Sequence, residues 1–82
     1  MLIIESFGKN IFIGDQLVGY IKDNALYIKG KPFASITDDG VISYENQEIG
    51  FVDEDNSIII RGEEVGYIDL DNNFRFYKGK LK

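Results

Sequence analysis

The stretch Ile58-Ile59-Ile60-Arg61-Gly62-Glu63-Glu64-Val65-Gly66-Tyr67-Ile68 decides the fold. A short apolar run is followed by a polar pair ending in glycine, then by a second run of the form apolar, small, aromatic, aliphatic. Arg61-Gly62 supplies a residue that accepts positive φ between two β-prone runs, as a hairpin closed by a two-residue loop requires. Working outward, the same unit returns every 15 or 16 residues. Upstream lie Ile42-Ser43-Tyr44 with Glu48-Ile49-Gly50-Phe51-Val52, and Leu26-Tyr27-Ile28 with Phe33-Ala34-Ser35-Ile36. Before them comes Ile11-Phe12-Ile13 with Leu17-Val18-Gly19-Tyr20-Ile21, and downstream Phe74-Arg75-Phe76 opens a fifth copy. A fixed period of this kind sets the fold before any single element is considered.

In each first run the outer positions are apolar (Ile11 and Ile13, Leu26 and Ile28, Ile42 and Tyr44, Ile58 and Ile60), while the middle holds Phe12, Tyr27, Ser43 or Ile59. Alternation with period two predicts a strand with one face in a core. Lys29-Gly30, Glu45-Asn46, Arg61-Gly62 and Lys78-Gly79 fall at equivalent places and predict two-residue hairpin loops. Asp/Asn/Gly clusters at Lys22-Asp23-Asn24, Asp38-Asp39-Gly40, Asp53-Glu54-Asp55-Asn56 and 69–73 reverse the chain between units. No window of helical periodicity survives these interruptions. Leu2-Ile3-Ile4 precedes Ile11 by nine residues, the spacing from Ile49 to Ile58 and from Val65 to Phe74, so it takes the place of a second run. The expectation is one all-β domain over residues 1–82: a closed, shallow barrel or flower of short antiparallel hairpins whose N- and C-terminal strands pair, removing two sheet edges.

Leu26-Tyr27-Ile28-Lys29-Gly30-Lys31-Pro32-Phe33-Ala34-Ser35-Ile36, echoed by Ile49-Gly50-Phe51-Val52 and Val65-Gly66-Tyr67-Ile68, resembles the repeat of the 4-fold β-flower family. The resemblance implies a flower-shaped sheet of hairpins around a pseudo-symmetry axis, and it transfers no functional site. Ser35 stands where that repeat has an aromatic residue, and the terminal pieces make five units where the family has four.

Composition narrows the chemistry. The 82 residues contain no cysteine, histidine or tryptophan and a single proline. Thiolate nucleophiles, disulfides, Cys-based metal sites, histidine bases and histidine ligands are therefore out of reach. Paired carboxylates remain, but a chain of short hairpins builds no long cleft around them, so the expectation is no catalytic residue, no enzyme and no cofactor. Asp69-Leu70-Asp71-Asn72-Asn73 opens like a calcium loop, yet its sixth place is Phe74 and its twelfth Lys80, and no metal site is expected. Apolar runs of three or four residues fall far below the roughly 20 needed to cross a bilayer as a helix, and the N-terminus has no signal-like stretch. A cytoplasmic protein is expected. A chain this short buries only roughly 60 to 65% of its unfolded surface, so closure has to compensate for a thin core.

The net charge of -5 conceals a larger asymmetry: residues 38–71 carry eleven acidic side chains against Arg61, a net of -10. Direct nucleic-acid binding is disfavoured by this balance, and a protein partner of the acidic stretch should be basic.

Three sets of candidate residues follow. Gly19, Ala34, Gly50 and Gly66 repeat a small residue inside a strand, read either as close approach of neighbouring backbones or as the lining of a pocket at the axis. Val18/Tyr20, Phe33/Ser35, Ile49/Phe51 and Val65/Tyr67 are expected opposite those glycines, making both strand faces apolar. Tyr20, Phe51 and Tyr67 then anchor either a lining or a surface for a partner or a second copy. Asp53, Glu54, Asp55, Glu63 and Glu64 form the candidate acidic partner surface. The functional expectation is a non-enzymatic binding or interaction module for a small ligand or a protein. The alternatives are a phage-type acidic inhibitor that mimics nucleic-acid charge against a host protein, and a self-assembling structural subunit.

Overall fold

A computed structural model describes residues 10–80. Nine strands follow one another: β1 (Asn10–Ile13), β2 (Gln16–Lys22), β3 (Ala25–Ile28), β4 (Lys31–Ile36), β5 (Val41–Tyr44), β6 (Gln47–Val52), β7 (Ser57–Ile60), β8 (Glu63–Ile68) and β9 (Phe74–Phe76). Each pairs with the next in sequence, and β9 returns to β1, so the sheet closes into a barrel. No described residue is helical.

The first and last of these strands pair, as expected. The closing ladder is parallel, with Ile11 opposite Phe74 and Ile13 opposite Phe76. An up-and-down meander reverses direction at every turn, so a barrel with an odd number of strands must bring its first and last together parallel. The run Leu2-Ile3-Ile4, expected to take part in closure, lies outside the described residues.

A correction concerns the strand faces. In the four hairpins β1–β2, β3–β4, β5–β6 and β7–β8 the register slips by one residue: Ile11 faces Gly19 but Phe12 faces Leu17, Ile42 faces Gly50 but Ser43 faces Glu48, and Ile58 faces Gly66 but Ile59 faces Glu64. The slip in the remaining hairpin lies between Leu26 and Tyr27. Val18, Phe33, Ile49 and Val65 are thus the extra residues of four β-bulges. A bulge abolishes strict alternation, and these side chains turn inward: Val65 is buried, and Val18, Phe33 and Ile49 pack against the core. The second run therefore has one apolar face, and the difficulty of burying two disappears.

The interior is filled. Ile11, Leu26, Ile36, Ile42, Ile58, Phe74 and Phe76 all have 2% or less of their surface exposed, and no buried polar or charged residue accompanies them among the described residues. Burying one such side chain contributes about 1.5–3 kcal/mol, and closure lets every strand contribute to a single cluster.

The turns obey two patterns. Asp23-Asn24, Lys29-Gly30, Glu45-Asn46 and Arg61-Gly62 have positive φ at both central residues, the type I′ signature whose twist suits a hairpin. Lys78-Gly79 departs from the expected series: only Gly79 has positive φ, and Lys80 N–H donates to the Tyr77 carbonyl across a single turn. The longer connections repeat one another. Thr37, Asp53 and Asp69 each accept a side-chain bond from the backbone N–H four residues on (Val41, Ser57, Asn73), at 2.9 to 3.0 Å. The turn aspartates thus serve as local acceptors that replace backbone partners.

Candidate functional site

Alternating turns sort the loops into two ends. One end carries Gly14-Asp15, Lys29-Gly30, Glu45-Asn46, Arg61-Gly62 and the turn from Tyr77 to Lys80; the other carries residues 23–24, 37–40, 53–56 and 69–73. The loops of the second end hold Asp23, Asp38 and Asp39, Asp53 to Asp55, and Asp69 and Asp71, with Lys22 the adjoining cation. At the first end the turns and the strand residues beside them hold Lys29, Lys31, Arg61, Lys78 and Lys80 against Asp15, Glu45, Glu48, Glu63 and Glu64, a balanced set. The charge asymmetry between stretches of sequence becomes an axial one in the fold.

The candidate acidic surface does not assemble as one patch. Asp53, Glu54 and Asp55 sit on the acidic rim, where Asp53 Oδ1 accepts the N–H groups of Asp55 and Ser57. Glu63 and Glu64 stand at the opposite end, already engaged: Glu63 pairs with Lys80, and Glu64 accepts from the Tyr77 hydroxyl at 2.6 Å. That bond, with burial and the carboxylate charge, raises the Tyr77 pKa above its ordinary value. On the acidic rim Asp69 is braced by Arg75 at 2.6 Å. Burial alone would push its pKa up, but the bonds from Arg75, Asn73 and Asp71 outweigh that and hold it below 3.8. Among the described residues no three acidic groups are placed to hold a metal ion. No helix among them is long and apolar enough to cross a membrane.

The aromatic candidates are also separated. Tyr20, Phe51 and Tyr67 point outward from β2, β6 and β8, on different sides of a closed barrel. Each finds a local neighbour: Tyr20 stacks on Tyr27 at 5.0 Å, Phe51 lies opposite Ile59, and Tyr67 lies 6.1 Å from Tyr77. Arg75 covers the Phe12 ring at 4.2 Å, worth about 0.5–1 kcal/mol at such an exposed place. These are cross-strand pairs around the belt of the barrel.

The repeated small residues are sharply defined. A Cβ on Gly19, Gly50 or Gly66 would run into the carbonyl oxygen of Tyr27, Ile59 or Arg75 on the next strand, and would lie 3.1, 2.9 and 2.9 Å from the Cα of Ile28, Ile60 and Phe76. Close backbone approach therefore requires glycine at these three places. Where it is satisfied, the bulge carbonyl is sealed to the next hairpin: Lys29 N–H donates to Val18, Arg61 N–H to Ile49 and Tyr77 N–H to Val65, at 2.8 to 2.9 Å.

Ala34 is the exception. Repeating the glycine geometry there would drive its Cβ into the Ser43 carbonyl. The β4–β5 ladder instead holds only two pairs, Ser35 with Ser43 and Ile36 with Ile42, whereas β2–β3 holds four and β6–β7 and β8–β9 three each. The equivalent bond, from Glu45 N–H to the Phe33 carbonyl, is not formed. A cleft of about 450 Å³ opens along this seam beside Phe33, Ala34, Tyr44 and Glu45.

That cleft shares Phe33 and Tyr44 with a larger groove of about 490 Å³ at the mouth of the barrel. Its apolar lining is Phe33, Ile49 and Val65, three of the four bulge residues, with Tyr44 and Ile60; Arg61, Glu63 and Lys80 form its lip. Lys80 is neutralised by Glu63, and Arg61 has no carboxylate partner among the described residues. Sequence reading placed Phe33, Ile49 and Val65 on the wrong face and so missed this floor. The available signal was length: strands of four residues stand opposite strands of six or seven, and one residue of each surplus is taken up as a bulge.

No family model matches the chain, and neither the curated proteins nor the solved structures contain a match to it. A nine-strand barrel does not by itself assign the chain to the β-flower family.

Proposed function

We propose that the protein is a non-enzymatic binding module whose ligand site is the apolar mouth at the Arg61 end of the barrel. The observation that carries this reading is the convergence of three bulges: Phe33, Ile49 and Val65 are delivered by separate hairpins to the floor of one groove, Phe33 and Ile49 half-buried there against the core to which Val65 belongs. Its volume of about 490 Å³ lies within the range of small-ligand sites, and its apolar floor with a few polar groups at the lip is the usual composition of such sites. The test is a titration of the isotopically labelled full chain with indole, a neutral aromatic fragment, followed by amide shifts. Changes confined to residues 33, 44, 49, 60 and 65 support the reading. Changes on the acidic rim alone, or none at any residue, overturn it.

The axial segregation of charge favours a second reading, in which the acidic rim docks on a basic protein in the manner of a charge-mimicking inhibitor. Such binding weakens steeply with salt and is lost on replacing Asp38, Asp39, Glu54 and Asp55 by asparagine or glutamine. Self-assembly through one aromatic face draws no support from the dispersed positions of Tyr20, Phe51 and Tyr67.

A further inference from the structure

The open seam adds to the mouth something that an apolar groove alone lacks. In the three sealed seams the bulge carbonyl is taken by the N–H of the residue that follows the next strand, Lys29, Arg61 or Tyr77. At β4–β5 the same two groups, the Phe33 carbonyl and the Glu45 N–H, are left facing a cleft. They are one acceptor on β4 and one donor at the β5–β6 turn, on opposite sides of the seam, a pair that the N–H and C=O of one extended main chain laid between them can satisfy. Along the same groove lie the apolar floor and Arg61, a guanidinium free of carboxylate partners among the described residues.

Resting on the reading of the mouth as a ligand site, we propose that its ligand is a chain end: the extended C-terminal segment of another polypeptide with an apolar last residue. The terminal carboxylate is received by Arg61, whose planar fork suits that group. The last side chain rests on Phe33, Ile49 and Val65. The preceding amide pairs with the Phe33 carbonyl and the Glu45 N–H, completing the seam that Ala34 leaves open. Charge favours the same orientation: an anionic end meets Arg61, without a carboxylate partner among the described residues, at a mouth whose other charges balance, and is repelled by the acidic rim at the far end of the barrel.

The experiment titrates the labelled full chain with acetylated hexapeptides ending in leucine, as free acid and as C-terminal amide, and with octanoate, which has the carboxylate and apolar body but no main chain. The free acid is expected to shift the amides of Phe33, Glu45, Ile49 and Arg61, and to bind about tenfold or more tightly than the amide, because a charge-assisted bond is lost. Arg61→Gln, on an exposed turn where folding is not at stake, should bring the free acid down to the affinity of the amide. Ala34→Gly, which lets the seam close, should weaken the peptide and leave octanoate unchanged. Equal binding of acid and amide overturns the carboxylate assignment while the mouth stands as an apolar site. Octanoate binding as tightly as the peptide overturns the main-chain pairing. Indole binding without peptide binding overturns the chain-end inference alone, and failure of both removes the mouth as a site.

Discussion

The seam between β6 and β7 and the seam between β4 and β5 are built from the same repeat and behave differently. At the first, Gly50 lets Ile59 and Ile60 approach closely, three residue pairs form, and Arg61 N–H closes on the bulge carbonyl of Ile49. At the second, Ala34 adds one methyl group, two pairs form, and the carbonyl of Phe33 faces a cleft. The lesson is that in a small closed barrel a single carbon decides whether the wall is sealed or open. The opening shares Phe33 and Tyr44 with the groove floored by Phe33, Ile49 and Val65.

The largest effect is expected from forcing a sealed seam apart. Gly66→Val places a branched side chain against the Arg75 carbonyl and Phe76 Cα, in a wall that β9 must complete. Overpacking against backbone costs about 3 kcal/mol or more, a large share of a small domain's stability. Urea unfolding should show a destabilised or unfolded chain, and a wild-type midpoint would contradict the close-approach account. Gly50→Ala is gentler. It is expected to cost about 1–3 kcal/mol and to give the β6–β7 seam the character of β4–β5, with the Arg61 amide losing protection from exchange. A loss of stability without that local change would separate packing from sealing.

The converse substitution sharpens the comparison with little change in stability. Ala34→Gly regains one backbone bond, worth about 1 kcal/mol, against the 0.5–1 kcal/mol that glycine costs within a strand, so net stability should stay within about 1 kcal/mol of wild type. The cleft beside Ala34 should close, read as slowed exchange of the Glu45 amide. The smallest effect concerns the β8–β9 connection. The Asp69 pKa is lowered in the fold, so the stability it contributes is present above its ordinary value of 3.8 and is lost as pH falls through the lower folded value. Asp69→Asn should flatten the acid limb of a stability–pH profile, and an unchanged limb would contradict the bracing role given to Arg75.

Much of the fold was legible because the repeat imposes one solution on every unit. The alternation at Ile11/Ile13 and Ile58/Ile60 marks the inward face, and the Asp/Asn/Gly clusters mark the reversals that lead back to closure. What could not be read by alternation was the bulge. Ile49 and Phe51 look like neighbours on one face when period two is assumed, yet the slip after Ile42 turns Ile49 inward and leaves Phe51 outside. The candidate site was therefore only half visible. Ala34 was singled out with the three glycines, but its meaning lies in its difference from them, and that difference appears only when both neighbouring strands are in place. Charge behaved similarly, since Asp53 and Glu63 are ten positions apart in sequence and at opposite ends of the barrel.

Amide hydrogen exchange of the native chain, read at four equivalent residues, tests the central claim most directly. Lys29, Arg61 and Tyr77 donate to bulge carbonyls, and Glu45 does not. Slow exchange at the first three and fast exchange at Glu45, reversed at Glu45 alone by Ala34→Gly, is the expected result. Protection of Glu45 equal to that of Arg61 in the unaltered protein would mean that the fourth seam is sealed like the others, and would contradict the account.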